Sequence, residues 1–231
     1  MSKVGGFNPV LFPAPDAVAS ALYNLGASGA LWVHISTSVK RVLVGFGLAS
    51  ALALPLGLLL GLYRPLEAFC DGLLSVLRPI PPFAWIPLAI LWFGIGDGST
   101  QFVVLYAAFW PILLNTIAGV RDIDRSLLKA ASSIGSRGLS LFVHVIVPGS
   151  LPLVLTGLRI GLGIAWMSIV AAELVAAQSG LGFMIMFYRS LFITENVIVG
   201  MLAIGVLGYL MDRLMRAIEK RLMPWRPGLK V

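Results

Sequence analysis

The sequence predicts an all-α protein that crosses a membrane several times, and three observations predict it. Hydrophobic residues fill 58% of the 231 positions, above the roughly 45–50% of a soluble domain. Charged residues fill only 12%, about half the usual quarter. Five stretches are apolar and nearly free of charge, and a helix needs about 20 such residues to cross the hydrocarbon. A water-soluble globule could not hide this much apolar surface, and the mean hydropathy of +0.95 agrees. A soluble enzyme, a secreted disulfide scaffold and a disordered tail are excluded. Cys70 is the single cysteine, so no intramolecular disulfide can form.

The elements follow in chain order. Residues 1–30 are expected to lie along the membrane interface. The start, Met1-Ser-Lys-Val-Gly-Gly-Phe-Asn8, has no apolar run ending in a small-residue cleavage site and does not read as a signal peptide. Residues 17–35 are only moderately apolar and hold Asn24, Gly26 and Gly29. The transmembrane domain is expected over 31–222, with Lys40 and Arg41 heading a first span at 42–62. A second, at 66–93, is interrupted by Pro79, Pro81, Pro82 and Pro87. Such breaks are tolerated where protein or a cavity satisfies the freed backbone. Further spans are expected at 101–120, at 151–172 with Arg159 inside it, and at 193–214 with Asp212 and Arg213 at its interface. Residues 223–231 read as a cytoplasmic tail.

Charge fixes the expected orientation. The net charge is +7, from 17 Lys and Arg against 10 Asp and Glu. With the long connection 121–150 inside, the inner segments carry 11 basic residues and the outer ones 4. The positive-inside bias then places the N-terminus outside and the C-terminus in the cytoplasm. No basic stretch carries interleaved base-stacking aromatics, so nucleic acid is not expected as a partner.

The long connection is the most informative stretch. Asp122 and Asp124 are good N-cap types for a helix starting near Arg125. Leu127, Leu128, Ala131 and Ile134 recur at helical spacing as an apolar stripe. Gly135 and Gly138 end that helix in a tight turn, and the run 139–147 leads to Pro148. A short helix with an apolar ridge and small residues at Ala130 and Ala131 suits docking into a partner's groove. It equally suits a cap on the helix bundle, and these residues alone leave both open.

Lys129-Ala-Ala131, Gly135, Val145 and Val147-Pro148 have the spacing of the E-A-A-x3-G-x9-I-x-L-P loop. In this the chain resembles the membrane subunits of binding-protein-dependent ABC importers. Pro79-Ile-Pro-Pro-Phe-Ala-Trp-Ile-Pro-Leu88, Leu91-Trp-Phe-Gly-Ile-Gly96, Phe109-Trp-Pro-Ile-Leu-Leu-Asn115, Pro152-Leu-Val-Leu-Thr-Gly-Leu-Arg159 and Ser179-Gly-Leu-Gly182 resemble the nitrate/sulfonate/taurine (bicarbonate) branch. The likeness runs from about Phe12 to Trp225. The resemblance implies a five-helix type I importer permease core with a cytoplasmic coupling helix. It implies a second permease copy as a homodimer partner, two cytosolic ATPase subunits that bind ATP-Mg, and an extracytoplasmic solute-binding protein. It also implies ATPase coupling through Leu128, Lys129, Ala130, Ala131, Gly135 and Pro148. Two departures stand out. The leading Glu of the loop is Lys129 here, which reverses the charge. Branch members usually carry another membrane helix before the Phe12-Pro-Ala-Pro15 region, and this chain begins almost at that point.

No cofactor is expected in the chain itself, since no G-x-x-x-x-G-K-[ST] string occurs. His34 and His144 are the only histidines and lie far apart, no H-E-x-x-H or G-x-S-x-G pattern exists, and neither enzyme activity nor a metal site is expected. An ion-driven secondary transporter is the alternative reading. Arg78 and Arg159 lie deep in their spans, so each faces protein or a watery cavity. Either could form a basic lining for an anionic solute; pairing or snorkelling is the competing account, with Glu67 and Asp71 as local partners for Arg78. In a wet cavity, charge rather than fork geometry would matter at Arg159. Glu173 is expected at the outer end of its span, as a contact for the binding protein, a gate or a plain interfacial carboxylate. Gly57 with Gly61, and Gly157 with Gly161, form small-xxx-small faces for close helix packing.

Overall fold

The structure is a computed structural model and describes residues 13–223. The first 12 residues of the expected interfacial segment, and all of the expected tail except Met223, lie outside the described residues. Among the described residues, everything regular is helical: α1 (Pro15–Ala27), α2 (Ala30–Leu62), α3 (Arg64–Leu77), a 3-10 turn (Pro82–Trp85), α4 (Ile86–Phe93), α5 (Asp97–Arg121), α6 (Arg125–Ser133), α7 (Leu139–Leu141), a π-helical turn (Phe142–Ile146), α8 (Val147–Ala176), α9 (Leu181–Ser190) and α10 (Thr194–Leu222).

Among the described residues, four helical stretches are long and apolar enough to cross a membrane: Ala30–Leu62, Asp97–Arg121, Leu139–Ala176 and Thr194–Leu222. A fifth crossing exists if the broken pair Arg64–Leu77 and Pro82–Phe93 counts as one. The break falls where the sequence places prolines, each of which removes a backbone donor. The first span begins earlier than the charge pattern suggests. Gly29, with φ +79°, separates α1 from α2, and no glycine or proline then interrupts the chain before Gly45. Lys40 and Arg41 therefore sit inside a continuous 33-residue helix rather than at its head. The fourth and fifth spans extend beyond 172 and 214 for the same reason: no breaker stands there.

The chain forms two compact units, each assembled from separated stretches. Within the described residues, one comprises 13–45, 82–104 and 165–211; the other comprises 46–81, 105–164 and 212–223. In the first unit, Ile86, Ala89, Val103, Ala172 and Ala176 form a buried cluster edged by Ile90 and Phe102. Trp85, Trp92 and Phe93 gather around Phe102 with ring centroids 5.6–6.2 Å from it.

The second unit is organised by glycine contacts onto α5. A Cβ at Gly57 would stand 2.6 Å from Thr116 Cβ, and one at Gly61 2.7 Å from Val120 Cβ. On α8, a Cβ at Gly157 would stand 2.7 Å from Asn115 Cβ, and one at Gly161 3.0 Å from Ile112 Cγ1. Lipid tails are as apolar as leucine, so helices in a bilayer gain little by hiding apolar surface and associate through close van der Waals contact. Small residues give that contact. α5 is accordingly the most enclosed span among the described residues, with 67% of its most apolar stretch buried against 11% for α10.

Gly157→Val should therefore overpack the α8–α5 contact and lower stability by about 1–3 kcal/mol. Gly163→Val is the control, since a Cβ there meets nothing within 4 Å. Thermal unfolding midpoints of the purified chain in detergent would check this, and equal midpoints for the two variants would refute it.

Candidate functional site

The connection after α5 folds as a capped helix and a turn. Asp124 is the N-cap of α6, and its Oδ1 accepts from the Ser126 backbone N–H at 2.8 Å. That hydrogen bond holds the Asp124 carboxyl below its ordinary value. Gly135 (φ +87°) and Gly138 (φ +54°) occupy the left-handed region, which side chains with a Cβ seldom adopt. The apolar stripe divides in a way that spacing alone does not reveal. Ala131 is buried, and Leu128 packs on the cluster of Val120, Ile123 and Ile146. Leu127 and Ile134, expected on the same stripe, are 58% and 86% exposed. Lys129, Ala130 and Gly135 are exposed as well, and Pro148 is half-buried in the first turn of α8. One edge of α6 is thus fastened to its own unit and the other is open.

Arg159 lies 12 residues after the start of α8, about 18 Å along the helix. It is paired: its Nε donates to Asp212 Oδ1 at 2.7 Å. Arg216 Nε donates to Asp212 Oδ2 at 2.8 Å. Asp212, read from the sequence as an interfacial residue, is the carboxylate on which two arginines converge. The Nε contact orients the Arg159 guanidinium.

Arg78 makes no ion pair among the described residues. Glu67, one of the two partners considered for it, pairs instead with Arg121. Arg78 lines a cavity of about 420 Å³ together with Glu67, Asp71 and Ser75 on α3 and with Trp110 and Leu114 on α5. The polar face of α3 is thereby turned onto an apolar strip of α5.

In the first unit, Glu173 is fully buried. Oε1 accepts from Ser38 Oγ at 2.8 Å and from Arg41 Nη1 at 2.9 Å. Oε2 accepts from the Gly182 N–H at 3.0 Å, at the N-terminus of α9. Arg41 is itself only 3% exposed. Its remaining donors reach Asp97 Oδ1 at 2.7 Å, Ser179 O at 2.6 Å and Ser179 Oγ at 3.1 Å. The Leu181 N–H donates to Ser38 Oγ, and the Gly180 N–H donates to His34 Nδ1. A backbone N–H can only donate, so that ring nitrogen is the acceptor. Gly180 is needed twice over: its φ is +107°, and a Cβ there would overlap the Glu173 carboxylate.

Sequence reasoning singled out Glu173 and the Ser179–Gly182 break but missed Ser38, Arg41 and Asp97 as their partners. The usable signal was a carboxylate in an apolar span, which requires a cation at the same depth. Among the described residues, no group of three or more His, Cys, Asp or Glu could hold a metal ion.

A family model described as "Binding-protein-dependent transport system inner membrane component" matches residues 53–224. A chain of Methanocaldococcus jannaschii, provisionally named an ABC transporter permease protein, is 44% identical over 96% of this chain and 85% of its own. The taurine transport system permease protein of Escherichia coli is 36% identical over 94% of this chain and 81% of its own. A solved inward-facing structure of the MetNI methionine ABC transporter covers 82% of this chain and 96% of its own, at TM-score 0.66 and 19% identity. At that identity the likeness is one of fold, and the fold is that of type I importer permeases.

Removing one partner of a buried ion pair costs about 3–5 kcal/mol, because the other charge is left uncompensated. Glu173→Ala should therefore lower the thermal unfolding midpoint sharply. The double variant Arg41→Met/Glu173→Leu should recover part of that loss. A Glu173→Ala chain as stable in detergent as the parent would show that the pair does not hold the unit together.

Proposed function

We propose, since this chain belongs to the family of binding-protein-dependent transport system inner membrane components, that two copies of it form the pathway of an ATP-driven importer for a small anionic solute, a sulfonate above all. The chain is the permease part of such a system and not an enzyme. It is a multi-pass inner-membrane protein. The solute-binding protein of the system delivers the cargo, and separate ATPase subunits bind ATP-Mg and supply the energy.

The observation that carries the coupling role is the divided face of α6. Leu128 and Ala131 secure the helix to its unit, while Leu127 and Ile134 leave an apolar edge open. An amphipathic helix presented in this way fits a groove on a partner. We assign coupling to Leu128, Lys129, Ala130 and Ala131, to the Gly135 turn that aims the helix, and to Pro148 at the start of α8. ATP-driven closure of the ATPases would push on α6, and the push would bias the permease between two states. Lys129 gives this contact a positive charge, which selects an acidic or neutral surface opposite it.

For the solute, two arginines support an anion: Arg159 on α8 and Arg78 beside its cavity. The sulfonate class is supported by the name of the Escherichia coli relative, whose cargo is taurine. Glu173 is better placed as an anchor for the loop before α9 than as a lining residue, because it has no exposed surface.

Gly135→Val should abolish uptake and weaken co-purification of the ATPase while the chain still inserts. Gly135→Asn should be milder, because asparagine tolerates the left-handed region. Uptake would be read in proteoliposomes with whichever of taurine, methanesulfonate or nitrate the parent carries. Normal uptake by Gly135→Val would sink the coupling role.

The orientation we infer has the N-terminus outside and the C-terminus in the cytoplasm, supported by the excess of basic residues in the inner segments. Ile95→Cys and Lys220→Cys, in a chain with Cys70→Ala, should then label from opposite sides of the membrane. Labelling from the same side would mean an even number of crossings between these positions and would reject that orientation.

A further inference from the structure

Asp212 belongs to none of the roles assigned so far. It lies on α10, where two guanidiniums reach it from different places: Arg159 from α8, and Arg216 one turn along α10 itself. The three groups are neither buried nor fully solvated. Side-chain exposure is 38% for Arg159, 33% for Asp212 and 55% for Arg216. A pair that only neutralised a charge inside a protein would be closed off, as Arg41 and Glu173 are. This one faces open space.

The manner of pairing matters more than the fact of it. Arg159 engages Asp212 through Nε alone, and this is the only hydrogen bond its guanidinium makes among the described residues. Nη1 and Nη2 are left open. Two parallel N–H groups on one edge of a guanidinium match two oxygens of an oxyanion. The opposite carboxylate oxygen, Oδ2, is taken by Arg216, whose Nη2 lies 2.6 Å away. With each oxygen held by a different arginine, the carboxylate cannot swing, and Arg159 is fixed to it. Two cations around one anion also leave the cluster with one net positive charge, which a monovalent anion would balance.

We propose that Asp212 is a positioning residue for anion passage: it orients Arg159 so that the free Nη edge forms a fork for one oxyanion, a sulfonate in particular. The proposal rests on the reading that Arg159 lines the pathway. Asp212 does not touch the solute. It acts through Arg159, with Arg216 as the second strut. The fork needs a guanidinium, because a lysine could pair with Asp212 or meet the anion but has no second planar edge for doing both.

The test uses the assembled importer in nanodiscs, phenylglyoxal as an arginine-modifying reagent, and mass spectrometry to follow Arg159. Methanesulfonate is the probe and chloride at equal ionic strength the reference. In the parent, methanesulfonate should slow Arg159 modification about fivefold relative to chloride, as a bidentate charge-assisted contact would. In Asp212→Asn, which keeps the shape but not the charge, that protection should fall to the chloride level while Arg159 stays modifiable. Asp212→Glu should restore part of it, and this variant decides the matter if Asp212→Asn does not assemble. Arg159→Lys should assemble and fail to transport.

Undiminished protection in Asp212→Asn would overturn the proposal. So would methanesulfonate protecting the parent no better than chloride. If Arg159→Gln loses uptake but methanesulfonate gives the parent no special protection, the pathway role of Arg159 survives and the fork falls. If Arg159→Gln transports at the parental rate, the pathway role falls and takes the fork with it.

Discussion

A carboxylate closed off from solvent, inside a helix that crosses a membrane, has to be answered by the protein around it. Glu173 is that carboxylate, and Arg41 is the answer. The desolvation cost of two ions is several kcal/mol each even after relaxation, and attraction offsets it only where geometry is good and the spare donors and acceptors are filled. Here they are filled, by Ser38, Asp97, Ser179 and the N–H groups at the start of α9. Helices α2, α5, α8 and α9 each contribute a group to this one knot. Their placement in the first unit therefore depends on an electrostatic condition that none of them could meet alone. The Ser-Gly-Leu-Gly segment follows from the same condition, since its backbone has to come against the carboxylate.

Much of this was legible in the sequence, and the reasons differ by element. Apolar length gave the spans, because a bilayer demands an internally hydrogen-bonded stretch of fixed minimum length. Prolines located the broken segment 78–81, because they remove donors wherever they stand. Asp124 and Gly135 marked the two ends of α6 through local backbone chemistry. Helix starts were less legible. Charge at Lys40 and Arg41 suggested an interface, whereas α2 runs through both, since a paired arginine is no longer a polar marker. The partners of Glu173 and Arg159 lie 132 and 53 positions away in the chain, and no local pattern encodes such a distance. The division of the α6 stripe was hidden for a related reason: spacing says which residues share a face, not what stands opposite that face.

Both units pack in lipid through close glycine contacts, and the first adds a second device. The second relies on glycine, which brings the α2 and α8 backbones against α5 over residues 108–120. Such contact is short-ranged and tolerates little added volume. The first also packs on glycine, with Gly45 against Val104 and Gly200 against Ile185, and adds directed polar contacts around Glu173 and an aromatic cluster around Phe102. Its contacts have fixed geometry and specify one arrangement, where an apolar surface of equal area would accept several.

The π-helical turn at Phe142–Ile146 has a consequence for α8. A π turn holds one residue more than an α turn does. Everything after it is rotated by about 100° about the helix axis relative to a regular continuation from α7, given 3.6 residues per turn. The azimuth of α8, and with it the direction in which Arg159 leaves the helix, is set by that one surplus residue. Deleting a single position between 142 and 146 would keep the composition and hydropathy of the span almost unchanged. It would also swing Gly157 and Gly161 off α5 and turn the arginine away from Asp212. The segment acts as a phase setting for the helix that follows it.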